Sequence, residues 1–389
     1  MIRRHLAGTN LEHAADHNQR VTLHAIRVNG PVTRADLALM TGLTTASIAN
    51  ITKRLLRHRL ILEAGMTRGA RGQPAAKLIV NLDSCYSLGL NIDRDHITLV
   101  VVDFAGRVRG RASREVKFAL PNAVRIFFRH SVGRLLAKAR VEPKKVVGIG
   151  VAFPDGIQHA GLPGQPPEYA AWGSTSVENL LAGVIPAPVF VENDAAAAAM
   201  GEMQFGLGQR YSSFFYVLIT AALGGGVVLD GHYVRGATGR SGEIGLLREH
   251  VTAGTPRQLQ KIVSLSALYD LLANAGHKVG SPQELTTLER SAQQIVTRWI
   301  DSSAEALEDA LVAINCLLNP EAVLIGGRLP ATLVSRLAER LNERLATRKA
   351  TLPAIAPVTR AAMSDDAPAV GAAILPFSER FLPNAKVMS

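Results

Sequence analysis

Short polar and basic side chains recur between positions 44 and 54 in a pattern suited to molecular recognition. Hydroxyl and amide groups can hydrogen-bond to base edges, whereas lysine and arginine can pair with phosphates. On a helix, these residues would lie opposite an apolar stripe that includes Ile48 and Leu55. They are Thr44, Thr45, Ser47, Asn50, Lys53 and Arg54. The segment therefore has the composition of a surface that contacts double-stranded DNA.

The elements predicted around this segment form a helix-turn-helix. A first helix over residues 15–29 ends at Gly30-Pro31, and Thr33 with Asp36 forms a capping-box pattern that begins a second helix. Gly42 would close the second helix, because a tight turn requires a residue that tolerates positive φ. Thr44 would then cap a third helix over residues 45–58. This spacing presents the start of the third helix to a DNA groove.

A basic loop follows the third helix and resembles the wing of a winged helix-turn-helix. Predicted strands over residues 60–63 and 77–81 flank residues 65–74, which include three glycines, two arginines and no acid. Such loops can place an arginine in the minor groove, although an ordinary hairpin could have the same composition. Arg34, Arg68 and Arg71 therefore join the third-helix residues as candidate DNA contacts.

Positive charge is concentrated in the same part of the chain. Residues 1–80 contain twelve Lys or Arg and four acids, a balance of +8, whereas the remaining 309 residues contain 31 bases and 28 acids, a balance of +3. A phosphate backbone attracts such a concentration of charge. A solvated basic surface without a partner is the alternative that charge alone leaves open.

The overall composition favours a cytoplasmic globular protein. The 389 residues are 47% hydrophobic and 19% charged, and they contain no apolar run long enough to cross a membrane. The basic N-terminus lacks the apolar stretch of a signal peptide. Cys85 and Cys316, the only cysteines, do not make a disulfide framework.

Beyond Tyr86, strands alternate with helices, a pattern that predicts an α/β body with mixed sheets. We expect an α+β winged helix-turn-helix over residues 1–82, a first α/β lobe over 83–192 and a second over 193–367. A C-terminal helix within residues 368–389 would pack back on the first lobe.

Four motifs in this order resemble those of the ROK family, which is named for repressors, open reading frames and sugar kinases. The motifs are Gly30-Pro31-Val32-Thr33-Arg34-Ala35-Asp36-Leu37-Ala38, Glu192-Asn193-Asp194-Ala195-Ala196-Ala197, Gly224-Gly225-Gly226 and Gly242-Glu243-Ile244-Gly245. The resemblance covers nearly the whole chain. It implies two ribonuclease-H-like (actin-like ATPase) lobes with a sugar bound between them.

The same resemblance implies that Asn193, Asp194 and Glu243 bind sugar hydroxyls, with Asp194 in the position of the family's catalytic base. Carboxylates and amides at the ends of rigid elements suit a ligand whose hydroxyls both donate and accept hydrogen bonds. Asp194 as a simple helix cap and Glu243 as a solvated turn residue are the alternatives. Pro154 or Trp172 would line the wall of this site.

Both phosphate-binding loops depart from the pattern of the family's kinases. Where the kinases have Asp-x-Gly-Gly-Thr-Lys, this chain has Asn91-Ile92-Asp93-Arg94-Asp95-His96, and where they have Gly-Thr-Gly it has Thr220-Ala221-Ala222. The glycines whose backbone amides cradle phosphates in the kinases are absent, and the carboxylates of Asp93 and Asp95 would repel a polyphosphate. We therefore expect no kinase activity and no nucleotide cofactor.

The zinc motif of the family is also missing. Leu246 stands where the family has histidine, and residues 247–255 include none of its three cysteines. Because a structural zinc ion needs about four nitrogen or sulfur ligands, we expect no metal in this protein.

These observations favour a DNA-binding transcriptional regulator, a repressor of carbohydrate uptake or catabolism genes with a kinase-dead, sugar-sensing body. Its predicted partners are an operator and a sugar or polyol effector. The two-fold symmetry usual for helix-turn-helix proteins predicts a homodimer or a dimer of dimers. A sugar kinase with a DNA-binding arm is the alternative, and a DNA-binding protein controlled by a protein partner, or by no ligand, is a third.

Overall fold

Three helices and a hairpin form the N-terminal unit of the protein. The structure is a computed structural model that describes residues 11–68, 74–157, 165–250, 254–348, 352, 354–363 and 366–383. The elements of this unit are α1 (Leu11–Asn29), α2 (Arg34–Thr41), α3 (Thr45–Arg57), β1 (Ile61–Arg68) and β2 (Pro74–Val80).

The predicted helix caps are confirmed. Thr33 and Asp36 form a reciprocal capping box at the start of α2, and Gly42 ends that helix with a φ of 69°. The Thr44 side chain accepts a hydrogen bond from the Ser47 backbone N–H (3.2 Å) at the start of α3. The hairpin is longer than predicted, because the outer part of β1 is exposed and has no apolar alternation to mark it in the sequence.

The first sheet of the body has five strands in the order β5-β4-β3-β6-β7. Strand β4 runs antiparallel to its neighbours β3 and β5, whereas β6 and β7 run parallel to β3. Its elements are β3 (Tyr86–Ile92), β4 (His96–Asp103), β5 (Val108–Glu115), α4 (Pro121–Lys138), β6 (Val146–Ala152), α5 (Val177–Leu181) and β7 (Val189–Glu192). The sequence analysis missed β5, an edge strand of largely exposed residues without an apolar face.

The second sheet repeats this topology in the order β10-β9-β8-β11-β12. Strand β9 runs antiparallel to its neighbours β8 and β10, whereas β11 and β12 run parallel to β8. Its elements are α6 (Asp194–Phe205), β8 (Phe214–Ile219), β9 (Leu223–Leu229), β10 (His232–Tyr233), α7 (Leu265–Asn274), α8 (Arg290–Leu318), β11 (Ala322–Gly327), α9 (Ala331–Ala346) and β12 (Val358–Arg360), and the C-terminal helix α10 (Ala367–Arg380) follows them in the chain.

Helix α10 lies directly on the first sheet. A methyl group on Gly89 would overlap the carbonyl oxygen of Ala369, and one on Gly150 would overlap that of Ala372. The N-terminal unit packs on the same side, since Leu23 and Ile26 of α1 share one apolar core with β4 and α10. Among the described residues, no helix combines the length and apolar character needed to cross a membrane.

Candidate functional site

One cleft brings together the three residues that the sequence analysis assigned to ligand binding. Asn193, Asp194 and Glu243 line a cavity of about 410 Å³, together with Pro154 and Arg94. This volume is in the range that holds a small organic ligand. The cleft opens between the carboxyl end of the first sheet and the β8–β9 turn, with the N-terminal part of α7 along its rim.

The β7–α6 junction positions Asn193 and Asp194. The Asn193 side chain caps α6, accepting hydrogen bonds from the backbone N–H groups of Ala195 (2.9 Å) and Ala196 (3.1 Å). Asp194 is the first residue of the helix and is buried, with one carboxylate oxygen accepting a bond from the Ala195 N–H (2.9 Å). The helix cap is therefore Asn193, and the second carboxylate oxygen of Asp194 makes no hydrogen bond to the described part of the chain.

Close backbone packing positions Glu243. A methyl group on Gly242 would lie 2.6 Å from the carbonyl oxygen of Gly225, and Gly242 adopts a φ of 86°. Both features require glycine, because a side chain would clash with β9 and would strain this conformation. The two glycines thus hold the turn against the strand and place half-buried Glu243 on the cleft wall.

The cleft environment favours the neutral form of the Asp194 and Glu243 carboxyl groups. Burial, followed by the nearby charge of Asp93, raises the pKa of Asp194 to about 7. Burial and the charge of Asp155 also raise the pKa of Glu243, with Arg94 acting in the opposite direction. Near neutral pH, Asp194 can therefore donate or accept a hydrogen bond, as recognition of a hydroxyl group requires.

Arg94 is a cleft residue that the sequence analysis did not assign to the site. Its side chain is 11% exposed and its guanidinium lies 3.5 Å from the carboxylate of Asp93. The sequence does show that Arg94 stands where the kinase loop has a glycine. That change by itself indicates only a loss of phosphate binding and does not place Arg94 in the cleft. A second arginine of the cleft, Arg240, pairs with Asp155 at 3.3 Å.

Side chains fill the turn that corresponds to the first phosphate loop. The Asp93 N–H donates to the His96 carbonyl oxygen (3.0 Å). His96 Nδ1 lies 3.0 Å from a carboxylate oxygen of Asp95, and His96 Nε2 lies 3.0 Å from the Asn91 amide nitrogen. The His96 ring therefore bonds to its neighbours in the turn, whereas Asn91 Oδ1 and Asp93 Oδ2 are buried without a hydrogen-bond partner among the described residues.

The same turn has the one group of possible metal ligands found among the described residues. Ligand atoms of Asp93, Asp95 and His96 lie within 4.8 Å of one another. Arg94 and Arg328 already balance the two carboxylates, with Arg328 lying 3.2 Å from Asp95. A cation would have to compete with these guanidinium groups.

The second altered phosphate loop is the turn between β8 and β9. The Thr220 N–H donates to the Ala222 carbonyl oxygen (2.9 Å), and the Ser266 hydroxyl donates to the Ala221 carbonyl oxygen (2.7 Å). The Leu265 N–H donates to the Thr220 carbonyl oxygen (2.9 Å), which ties the turn to the start of α7.

Trp172 corrects one expectation about the cleft wall. Its indole is buried, donates to the Ala119 carbonyl oxygen (2.7 Å) and packs on Phe153 with ring centroids 4.9 Å apart. The side chain is directed into the core of the first lobe because a buried indole N–H needs an acceptor. Pro154, the other candidate, does line the cleft.

In the segment that corresponds to the zinc motif, Leu246 and Leu247 are exposed. Glu249 pairs with Arg257 at 2.8 Å. Residues 251–253 lie outside the described residues.

The N-terminal unit presents most of the predicted DNA contacts on one exposed helix. Thr44, Thr45, Asn50, Lys53 and Arg54 are exposed on α3 or at its cap. Two of the helix residues already have partners: half-buried Ser47 accepts a hydrogen bond from the Thr44 hydroxyl (2.9 Å), and Arg54 contacts Gln19.

The three arginines outside α3 are placed differently. Arg34 Nε donates to the Thr52 hydroxyl (3.0 Å), and its guanidinium lies 3.3 Å from Glu63, so this side chain links α2, α3 and β1. Arg68 is the last residue of β1, and its side chain is not described. Arg71 lies outside the described residues. A DNA contact by any of the three stays a prediction.

The body has the ROK-family α/β fold, with two mixed sheets and a cleft of polar side chains between them. The ROK family model matches residues 87–378, and the chain belongs to this family. A solved structure of a ROK family transcriptional regulator, described as a homologue of the Escherichia coli MLC protein, has this fold. It superposes with a TM-score of 0.69 at 24% identity, covering 96% of this chain and 99% of that one.

Curated relatives with regulatory names support the same placement. The DNA-binding transcriptional repressor Mlc of Escherichia coli K12 is 26% identical, over 77% of this chain and 78% of its own length. The xylose repressor of Bacillus spizizenii is 27% identical over 228 residues, which span 59% of each chain. This chain therefore aligns with somewhat less than two thirds of that xylose repressor.

Proposed function

We propose that this protein is a transcriptional repressor of carbohydrate uptake or catabolism genes, controlled by a sugar or polyol that binds in the cleft. The observation that carries the proposal is the meeting of Asn193, Asp194 and Glu243 in one cleft, in a chain that also has a capped helix with an exposed basic face. A hydroxyl-rich ligand matches the first feature, and DNA matches the second. The relatives named as repressors support a function that combines DNA binding with ligand binding.

In this proposal residues 1–82 are a winged helix-turn-helix, with α3 as the recognition helix and β1–β2 as the wing. The repeated strand order of the two sheets supports the interpretation of residues 83–192 and 193–367 as ribonuclease-H-like lobes. Binding to chromosomal DNA would place the protein in the cytoplasm. A homodimer or dimer of dimers would match a two-fold symmetric operator.

The body would sense its ligand without phosphorylating it. Both phosphate loops have lost their glycines, and the His96 ring and the Ala221 carbonyl oxygen are engaged in hydrogen bonds within the protein, so these two described turns lack the glycine cradle for ATP phosphates. The alternative, a sugar kinase with a DNA-binding arm, draws on one observation: Asp194 has a pKa of about 7, which suits a general base. ATP turnover separates the two functions.

The proposed function can be tested with full-length protein and the intergenic DNA on either side of its gene. We expect salt-dependent, sequence-preferring binding in an anisotropy titration, and a shift in this affinity when the inducing sugar is present. A panel of neutral pentoses and hexoses, screened by thermal shift, identifies the effector, since a bound ligand raises stability. If the protein binds none of the flanking DNA fragments specifically, it is not a repressor of the neighbouring genes.

A further inference from the structure

Helices α6 and α10 lie side by side between the two sheets, but each belongs to a different lobe. Helix α6 packs on β9, where a methyl group on Gly226 would lie 2.6 Å from the Ala199 methyl. Buried Glu202 ties the same helix to the segment after β12, accepting from the Ala362 N–H (2.7 Å) and the Met363 N–H (3.0 Å). Helix α10, by contrast, lies on the first sheet.

The contact between these two helices is made by small residues. A methyl group on Gly371 of α10 would overlap the carbonyl oxygen of Ala197 in α6, and one on Gly201 would lie 3.1 Å from the Gly371 Cα. Without long interlocking side chains, packed helices can slide past one another by small amounts. A change in the angle between the lobes would therefore displace the end of α6 relative to the end of α10.

Helix α1 of the N-terminal unit contacts both of these ends. The Arg20 guanidinium donates to the Glu379 carbonyl oxygen (2.9 Å) and the Leu382 carbonyl oxygen (3.3 Å), at the end of α10. Arg27 donates to the Gln204 side chain and lies 5.1 Å above the Phe205 ring, at the end of α6. Arg20 and Arg27 are about two helical turns apart and so share one side of α1.

The two contacts differ in strength. Arg20 meets backbone carbonyls at a helix C-terminus, where a cation is favoured, and it also pairs with Asp16 at 2.9 Å. Arg27 is half-buried, has neutral partners in Gln204 and in His24 Nδ1 (3.3 Å), and has neither a salt bridge to a described carboxylate nor a described acceptor for its Nε. Burial lowers the pKa of Arg27 to about 10. An incompletely paired, buried cation costs free energy, so this contact is the one more easily released.

We propose that α1 links the DNA-binding unit to both lobes and that the Arg27–Gln204 contact carries the effect of the ligand. The inference rests on the proposed function, because it requires both a ligand in the cleft and DNA at α3. Asp194, at the other end of α6, lines the cleft, so this 12-residue helix runs from the ligand site to Arg27. When the lobes shift, Arg20 keeps the unit on α10, while Arg27 loses or regains Gln204.

The test measures the ratio of operator affinities with and without saturating sugar, in full-length wild type, Gln204→Ala and Gln204→Glu. The probe is D-xylose, or D-glucose if xylose gives no thermal shift in wild type. Gln204→Ala removes the contact, whereas Gln204→Glu gives Arg27 a carboxylate and locks it. In both variants we expect the ratio of operator affinities to be at least about fivefold closer to one than in wild type. Each variant should still bind DNA and sugar.

Gln293→Glu is the matched control for Gln204→Glu, because it adds the same charge at an exposed position of α8. It should leave the ratio of operator affinities unchanged. A second measurement needs no operator: hydrogen exchange in α1 should respond to sugar in wild type and not in Gln204→Ala. An unchanged ratio and an unchanged exchange response in both Gln204 variants would overturn the inference. Wild-type protein that binds no DNA, or no sugar, would instead overturn the proposed function.

Discussion

Arg328 of the second lobe pairs with Asp95 of the first lobe, at an N–O distance of 3.2 Å. Arg328 directly follows β11, whereas Asp95 lies in the turn between β3 and β4, and the arginine also contacts Glu115 of β5. Its side chain is only 7% exposed. This network joins the two lobes beside the cleft and balances carboxylates that the altered phosphate loop introduced.

Removing Arg328 should destabilise the protein substantially. In Arg328→Met, Asp95 and Glu115 lose a buried cation. Removing one partner of a fully buried ion pair costs about 3–5 kcal/mol, and we expect about 2–3 kcal/mol here because Asp95 and Glu115 are 27% and 43% exposed. Arg340→Met is the matched control, because Arg340 pairs with Asp301 and Glu343 on the surface at 52% exposure. Exposed pairs contribute about 0–1 kcal/mol. Urea unfolding of both variants makes the comparison, and equal losses would contradict this account of the lobe contact.

Asp194 should be needed for ligand affinity but not for DNA affinity in the absence of ligand. Asp194→Ala leaves ligand hydroxyls without a partner, a loss of about 1–3 kcal/mol, or roughly ten- to a hundredfold in Kd. Calorimetry with the sugar chosen by thermal shift measures this change. The cleft and α3 lie in different parts of the chain, so operator affinity of the ligand-free variant should match wild type. Equal sugar affinity in wild type and variant would remove Asp194 from the site.

Asp194 should also make stability fall as the pH rises toward neutral. Its pKa is about 7 in the folded protein and about 3.8, the ordinary value for aspartate, in the unfolded protein, so between these pH values the folded state holds more protons. The contribution of Asp194 to folding stability is then complete below about pH 4 and is lost as the pH rises to about 7, by about 1.4 kcal/mol for each unit of raised pKa.

Because asparagine does not ionise, Asp194→Asn should flatten this part of the pH profile. Urea titrations of both proteins at several pH values give the comparison. Parallel profiles in the two proteins would show that Asp194 titrates normally.

Two basic residues of the N-terminal unit should have different effects when replaced. Lys53→Ala removes an exposed cation from α3 and should weaken operator binding, lowering the slope of log K against log salt by about one. Arg34→Ala should mainly lower stability, because Arg34 bonds to Thr52 and Glu63. Arg71→Ala should resemble Lys53→Ala if the wing reaches a phosphate. Anisotropy titrations at several salt concentrations, with melting curves, separate the two effects, and a large loss of stability in Lys53→Ala would reverse this assignment.

The protein should not consume ATP in the presence of sugars. The glycines of the kinase loops are replaced within residues 91–96 and 220–222, and the carboxylates of Asp93 and Asp95 would repel a polyphosphate. Coupled assays with magnesium, ATP and common pentoses or hexoses should match an Asp194→Asn control. Turnover clearly above that control would favour the kinase alternative.

Much of the local structure could be predicted from sequence. The capping box of Thr33 and Asp36, the Gly42 helix end and the alternation of strands with helices after Tyr86 all agree with the structure. Caps and buried strands depend on residues a few positions apart, so their signals are local. Strand β5 lacked such a signal because its exposed residues have no apolar alternation.

The sequence by itself determined the concentration of basic charge near the N-terminus, the helix ends around α3 and the presence of Asn193, Asp194 and Glu243 after their strand and turn. Tertiary structure decided the direction of single side chains: Arg34 toward Thr52, Trp172 into the core and Arg94 into the cleft. It also decided that Arg20 and Arg27 meet residues far away in the chain. The reason is physical, because a cap forms with its near neighbours, whereas a buried guanidinium or indole takes whichever acceptor the packing of distant elements brings within reach.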